Sequence, residues 1–314
     1  MTIIKSINVI DNIKRSVVTI GNFDGLHKGH QVLIKKAVDY GKENNMKSVV
    51  FTFENHPANY FASNSIKNII SNKEKIRRLR KLGVDIIISI PFDEYMTKIS
   101  AEEFVKNILV NKLGVEKVIV GYDFTYARNK EGNTDLLKIL AKKHKFELEV
   151  IKPIKIDETR VSSTYIRSLV SKGNVSDVKK YLGYNYEIEG KVIKCRQLGR
   201  TIGFPTANIE IDKNMITPKT GIYATKVYID GKIYYGATNI GYNPTVNGKS
   251  LSIETNILEF NEEIYGKTIK VEFLERTRDE KKFSSLEELK NQLEKDTSYV
   301  FEKYICKTKQ YMIK

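Results

Sequence analysis

Cysteine is scarce in this sequence. Only Cys195 and Cys306 occur, far apart and without metal-like spacing, so a reduced, cytoplasmic protein is the expectation. No apolar run is long enough to span a bilayer, and no membrane association is expected. The opening Met1-Thr2-Ile3-Ile4-Lys5-Ser6 lacks a basic region followed by an apolar core, so no secretory signal is expected. Acidic residues are outnumbered, 38 against 53 lysines and arginines, which leaves a net charge of +15. Such a surplus suits anionic ligands, nucleotides among them, and would also suit nucleic acid. The lysines, however, are spread along the whole chain among acidic residues, with no basic arm or Arg-rich block. A solvated, lysine-rich surface is the simpler reading, and no nucleic-acid partner is expected. Histidine is rare as well: His27, His30, His56 and His144 are all there are.

Two of those histidines share one stretch, Gly21-Asn22-Phe23-Asp24-Gly25-Leu26-His27-Lys28-Gly29-His30. It follows the apolar run Val17-Val18-Thr19-Ile20 and leads into a segment with Leu33, Ala37 and Tyr40 at helical spacing. The pattern predicts strand, glycine-rich turn and helix. Glycine lets a phosphate approach the backbone closely, and the helix start offers unpaired N–H groups. Two imidazoles three residues apart near that start can face the same phosphate. They can donate hydrogen bonds to oxygens that gain charge in a transition state. In isolation the same residues would also fit two surface histidines in a structural turn.

With 314 residues, 41% of them hydrophobic and 29% charged, the chain has room for two domains with real cores. Residues 1–183 alternate near-continuous apolar strands with helices. Strands are expected at Ser48–Phe53, Asp85–Ile90, Lys117–Val120 and Phe146–Ile151. Helices are expected around Ile76, Leu79 and Leu82, over Ala101–Lys112, and over Asn133–His144. This is the pattern of an α/β, doubly wound parallel sheet, whose ligands bind beyond the carboxyl ends of strands. Glu54-Asn55-His56-Pro57 and Gly121-Tyr122-Asp123-Phe124 fall just after strands. Val161-Ser162-Ser163-Thr164-Tyr165-Ile166-Arg167 opens a helix that Ser163 or Ser162 can cap, and its hydroxyls with Arg167 suit an anion. Read singly, these are ordinary strand ends and a cap.

Residues 184–314 read differently, as short alternating strands with frequent turns. Asp230-Gly231 is a hairpin signal, and an antiparallel β-barrel with a terminal helix is expected. Ser284-Ser285-Leu286-Glu287 fits a capping box for that helix, with Leu286, Leu289, Leu293, Val300 and Tyr304 as an inward stripe. The chemical stretch is Gly199-Arg200-Thr201-Ile202-Gly203-Phe204-Pro205-Thr206-Ala207-Asn208. If extended, Thr206 and Asn208 project from one side and offer neutral oxygens suited to Mg²⁺.

As strings these segments are more specific. His-x-Gly-His after a first strand resembles the signature of the nucleotidyltransferase superfamily. The fuller loop, followed by Thr-Phe-x-x-His-Pro, Val-Gly-x-Asp-Phe and Ser-Ser-Thr-x-Ile-Arg, resembles the FAD synthetase module of bacterial bifunctional riboflavin kinase/FMN adenylyltransferases. Gly-Arg-x-x-Gly-Phe-Pro-Thr-Ala-Asn, then Asn239-Ile240-Gly241-Tyr242-Asn243-Pro244-Thr245, Ile253-Glu254 and Arg276–Phe283, resembles the riboflavin kinase signature. The resemblance implies a nucleotidyltransferase-like Rossmann domain followed by a riboflavin kinase-like barrel. It implies phosphorylation of riboflavin to FMN and adenylylation of FMN to FAD, both from ATP with Mg²⁺.

The same resemblance implies residue roles. His27 and His30 steady the ATP phosphates, and Gly21, Phe23 and Asp24 line the nucleotide loop. Ser163, Thr164 and Arg167 hold phosphates. Phe53, His56, Pro57 and Asp123 lie at the FMN and nucleotide pocket. In the barrel, Gly199, Arg200, Gly203, Pro205, Thr206 and Asn208 bind ATP, with Thr206 and Asn208 toward the metal. Glu254 is the general base, and Arg278 and Glu280 lie in a flap over the flavin. Two departures stand out. Tyr126-Ala127 replaces a usual Phe-Gly, where a glycine can take a positive φ that alanine resists. Lys194-Cys195-Arg196-Gln197 replaces a segment that often carries a glycine. The first departure motivates an alternative, a kinase with weak or lost adenylyltransferase activity. An RNA-binding nucleotidyltransferase-like protein and a non-enzymatic flavin-binding module are the other readings.

Overall fold

The apolar runs of the first half form six strands: β1 (Thr2–Ile4), β2 (Ser16–Ile20), β3 (Lys47–Phe53), β4 (Ile86–Ile90), β5 (Val115–Gly121) and β6 (Glu147–Ile151). These belong to a computed structural model that describes residues 1–10, 12–61, 66–195, 198–245 and 248–306. At 198, 200, 243–245 and 248–249 the backbone alone is described. The strand order is β1-β4-β3-β2-β5-β6, and every pairing is parallel. Val17, Val18, Val49, Phe51, Ile87, Ile88 and Val118 are fully buried, as strands covered on both faces require. The chain moves outward from β2 in both directions, to β3 on one side and β5 on the other. The residues after β2 therefore open into the crevice where strand order reverses. The edge strand β1 was not expected, because three residues with little burial leave no periodicity to read.

The helix Lys28–Glu43 packs Leu33, Ile34, Ala37 and Val38 inward. The helix expected over Ala101–Lys112 is present and buries Phe104, Ile108 and Leu109. Its second part has wider turns, with the Asn111 N–H donating to the Lys106 carbonyl. Asn133 caps Thr134–His144 by accepting the Leu136 N–H at 2.9 Å. The helix Asn72–Lys81 departs from expectation. Leu79 is buried, but so are Glu74 and Lys75, while Ile76 is only half-buried. A short hairpin, β7 (Lys155–Ile156) and β8 (Thr159–Arg160), precedes the helix Ser163–Ser171.

The second half closes an antiparallel barrel from β9 (Glu187–Ile193), β10 (Thr206–Ile209), β11 (Gly221–Ile229), β12 (Lys232–Thr245), β13 (Gly248–Ile257) and β14 (Thr268–Arg278). The order around it is β10-β13-β12-β11-β14-β9. Asp230 and Gly231 both have positive φ, 48° and 81°, which matches the tight turn joining β11 to β12. Inside, the buried hydroxyls of Thr225, Thr238 and Thr255 form a chain with 2.8 and 2.9 Å links, anchored on the Gly236 carbonyl. Val227, Ile240, Ile253, Val271 and Phe273 fill the rest.

The terminal helix Leu286–Val300 begins one residue later than the capping box placed it. Ser285 accepts the Glu288 N–H at 3.1 Å, and the Glu288 carboxylate accepts the Ser284 N–H at 3.0 Å. Leu286 is consequently outside the inward stripe and 58% exposed, whereas Asp296 and Val300 are buried. By internal contacts the chain separates into two compact units, Met1–Ser163 and Thr164–Lys314.

Candidate active sites

The Gly21–His30 loop turns by taking left-handed or near-left-handed steps at Phe23, Gly25 and Leu26, with φ of 49°, 79° and 39°. This aims the buried Phe23 ring under Gly21, where an added Cβ would meet the ring at 3.2 Å. A side chain at residue 21 would crowd that ring. His27 then caps the helix: its Nδ1 accepts the His30 N–H at 3.2 Å. The two imidazoles stack, 3.5 Å apart and inclined by 16°, and Phe23 packs edge-on against His30 at 5.2 Å. Gly29 leaves room for the His27 ring, which lies 3.1 Å from where its Cβ would be. The pair is therefore locked by packing before any ligand arrives. With Nδ1 accepting, the proton of a neutral His27 resides on Nε2, which makes that nitrogen a donor.

Asp24 sits in this loop, but its carboxylate is committed to the protein. It accepts the backbone N–H groups of Ile69 at 2.9 and 3.1 Å and of Ile70 at 3.3 Å. Its carbonyl accepts the Ser163 hydroxyl at 2.8 Å. Ser163, one of the two serines the sequence offers as a cap, is the first residue of its helix and ties that segment to the histidine loop. Thr164 is exposed and Arg167 half-buried on the helix that follows.

A small polar cleft beside this loop brings together Asn22, Asp24, Phe53, His56, Asn72 and Lys75. Phe53 and His56 are thus placed together, as expected. His56 Nδ1 accepts the Ala58 N–H at 3.2 Å, and Pro57 opens the short helix Pro57–Phe61. Asp123 is not part of that cleft lining. It forms an ion pair with Arg160, whose guanidinium lies 4.7 Å over the Tyr122 ring. Lys75 was missed by sequence reasoning. Its ammonium is buried and donates to the Phe53 carbonyl at 2.6 Å, the Asn22 carbonyl at 3.3 Å and Thr52 Oγ1 at 3.4 Å. Burial lowers its pKa to about 8, against the opposing pull of Asp24 and Glu54.

In the barrel, Asn208 on β10 registers with Glu254 on β13, which registers with Asn239 on β12. Directly paired residues share a face, so three polar side chains stand in a row across three strands. Thr206 lies on the same face two residues before Asn208. Asn208 is buried, and its Oδ1 has no hydrogen-bond partner among the described residues. A buried, unpartnered oxygen beside a carboxylate fits a hard cation. No cluster of three or more acidic, histidine or cysteine ligands occurs among the described residues.

The loop before β10 is closed by the Phe204 N–H donating to the Gly199 carbonyl at 2.8 Å, and Gly203 takes φ +87° in open space. Pro205 is exposed, and its carbonyl accepts Asn256 Nδ2 at 2.8 Å. The Arg200 side chain, Arg196-Gln197 and the side chains of Asn243-Pro244-Thr245 lie outside the described residues. Glu280 reaches over Gly241 toward Asn239, whose Nδ2 is 3.3 Å from the position of a Gly241 Cβ. Arg278 is held by Asp296 of the terminal helix through two bonds of 2.8 and 2.6 Å. Burial and the Glu254 charge push the Cys195 thiol up, which marks Cys195 as a neighbour of this row.

Comparison with known proteins divides the chain between two families. A family model described as FAD synthetase matches residues 9–165, and one described as riboflavin kinase matches residues 182–303. A bifunctional riboflavin kinase/FMN adenylyltransferase of Haemophilus influenzae is 37% identical over 281 residues, spanning 89% of this chain and 91% of that one. Its counterpart in Bacillus subtilis is 36% identical over 287 residues, spanning 90% of each. Among solved structures, a Streptococcus pneumoniae protein described as a macrolide-efflux protein aligns with a TM-score of 0.87 at 31% identity. That alignment spans 95% of this chain and 98% of that one. No helix among the described residues is long and apolar enough to cross a membrane.

Proposed function

Because this chain belongs to the bifunctional riboflavin kinase/FMN adenylyltransferase family, we propose how its residues divide the two reactions. The enzyme uses ATP to phosphorylate riboflavin to FMN, and uses ATP again to adenylylate FMN to FAD. The assignment gives residues 1–183 to adenylyl transfer and residues 184–314 to the kinase. One observation carries the reading: in each half a small set of signature side chains stands side by side. His27 and His30 stack at the carboxyl end of β2, and Asn208, Glu254 and Asn239 stand side by side across the barrel.

In adenylyl transfer an FMN phosphate oxygen attacks the α-phosphorus of ATP and pyrophosphate leaves. No covalent intermediate is needed, so catalysis rests on positioning and charge neutralisation. His27 donates from Nε2 to phosphate oxygens, and His30 stands alongside as the second imidazole. Gly21 and Phe23 shape the loop, and Asp24 fixes it from beneath. Ser163, Thr164 and Arg167 keep the phosphate-binding role that the resemblance implies. Phe53, His56, Pro57 and Asp123 serve the FMN side.

In the kinase, Glu254 accepts the proton of the riboflavin 5′-hydroxyl as that oxygen attacks the γ-phosphorus of ATP and ADP leaves. Thr206 and Asn208 would hold Mg²⁺, which when bound neutralises phosphate charge; the buried Asn208 Oδ1 supports that fit. Gly199, Arg200, Gly203 and Pro205 form the ATP loop, while Arg278 and Glu280 border the flavin. The test is a time course with riboflavin, ATP and Mg²⁺, the flavins being separated by chromatography. FMN is expected first and FAD later. FMN alone would count against the adenylyltransferase assignment, and neither product would overturn both.

A further inference from the structure

Lysine is rarely buried unless an opposite charge accompanies it. Lys75 is 5% exposed, yet its three partners are two backbone carbonyls and a hydroxyl. Those oxygens belong to the carboxyl ends of two neighbouring strands, where the parallel ladder stops and leaves carbonyls unsatisfied. Phe53 ends β3. Asn22 lies two residues past β2, inside the histidine loop. Thr52 reinforces the link by donating from Oγ1 to the same Asn22 carbonyl at 3.1 Å. An ammonium has three donors on a long stem, so one residue on the Asn72–Lys81 helix can serve all three acceptors.

The connection to the chemistry is one residue long. Asn22 precedes Phe23, and the Phe23 ring packs edge-on against His30, which stacks on His27. A shift of the Asn22 carbonyl would move that ring and the imidazole pair with it. We propose that Lys75 is a positioning residue for adenylyl transfer, pinning the histidine loop to the end of β3 so that His27 and His30 meet the phosphates in register. This rests on the reading that the loop is the adenylyltransferase site. Lys75 has no donor left over for a substrate, so it acts through the loop and not on the reacting atoms.

The charged and titratable groups facing it are Asp24 from the loop and Glu54 from the end of β3, which favour its protonated form. Lys5, paired with Glu54, opposes it, and His56 lines the same cleft. On its own helix, Glu74 is turned to Arg77 and Arg78. A Lys75 pKa of about 8 places loss of one donor and of the charge within an accessible range. The adenylyl-transfer kcat should fall as pH rises through that value.

The test compares wild type, Lys75→Met and Thr52→Val in the full chain, with riboflavin kinase activity measured alongside. A displaced site costs on the order of 100-fold in rate. Lys75→Met should lower the kcat of FMN adenylylation by roughly 30- to 100-fold on that scale, with little change in the KM for FMN. The alkaline limb should vanish, and kinase activity should stay within about twofold, well short of such a loss. Thr52→Val keeps the shape of the side chain and should produce a smaller loss in the same direction, non-additive with Lys75→Met. His30→Ala is the control for the underlying reading. If His30→Ala abolishes adenylylation while Lys75→Met leaves both kcat and the pH profile intact, the positioning role is wrong. If His30→Ala leaves adenylylation intact, the site itself is wrong. Should Lys75→Met fail to fold, an unaltered kcat in Thr52→Val would overturn the proposal.

Discussion

Tyr126 and Ala127, which stand where the resembled motif usually carries Phe-Gly, are both under stress. Ala127 has φ 65° and ψ −177°, a region that only glycine occupies comfortably. It is held there by its neighbours: Tyr126 exchanges backbone hydrogen bonds with Gly132, and Arg128 donates to the Ile99 carbonyl. The Tyr126 ring is buried against Phe104 and Phe124. Its hydroxyl has no hydrogen-bond partner among the described residues, and burial pushes its pKa up to about 12. Tyr126→Phe removes an unsatisfied group that costs about 1 kcal/mol or more. Ala127→Gly relieves strain of about 1–3 kcal/mol, less the chain entropy a glycine adds. Each should raise the Tm of the first unit by about 2–4 °C in calorimetry. A fall in Tm for either would mean that the loop is not strained as described.

Lys75 makes a second prediction at this scale, on stability. Its folded pKa is depressed from 10.5 to about 8. Between those values the unfolded chain holds a proton that the folded chain has released, so this residue makes stability rise with pH across that window. In denaturant titrations at pH 8 and pH 10, wild type should gain stability relative to Lys75→Met. An unchanged difference between the two proteins would contradict the depressed pKa.

At the scale of elements, the short loop before β10, to which ATP binding is assigned in the proposal, depends on Gly203. Nothing lies within 4 Å of where its Cβ would be, so the constraint is φ +87° and not space. Gly203→Ala should therefore leave packing intact and cost about 1–2 kcal/mol of loop strain. The KM for ATP in the kinase step should rise while FMN adenylylation is untouched, which steady-state kinetics on each step would check. Elements of this kind were readable from the sequence where a strong local signal existed. Asp230-Gly231, the apolar runs of β2 to β5 and the helix over Asn133–His144 all came through, because each is decided by a few adjacent residues. The terminal helix start did not, because Ser284 and Ser285 are both good caps, and Glu287 and Glu288 both stand within its first turn. Lys75 was hidden for a related reason. In Asn72-Lys73-Glu74-Lys75-Ile76-Arg77-Arg78 a lysine reads as solvated, and only the strand ends above it make burial worthwhile. Likewise, the commitment of Asp24 to Ile69 and Ile70 spans 45 and 46 residues of sequence, beyond any local pattern.

At the scale of the whole molecule, the two reactions are chemically consecutive: FMN leaves the kinase and enters adenylyl transfer. The +15 charge suits a protein whose substrates and products are nearly all anionic. The central claim is that each reaction depends on its own set of residues, one around His27 and His30 and the other around Glu254. The most direct test supplies purified wild type, Glu254→Gln and His30→Ala with ATP and Mg²⁺, and with either riboflavin or FMN, then quantifies flavins by chromatography. Glu254→Gln should form almost no FMN from riboflavin, yet convert supplied FMN to FAD at the wild-type rate. His30→Ala should accumulate FMN from riboflavin and stop there. Near-normal FMN formation by Glu254→Gln, or FAD formation by His30→Ala, would contradict the account.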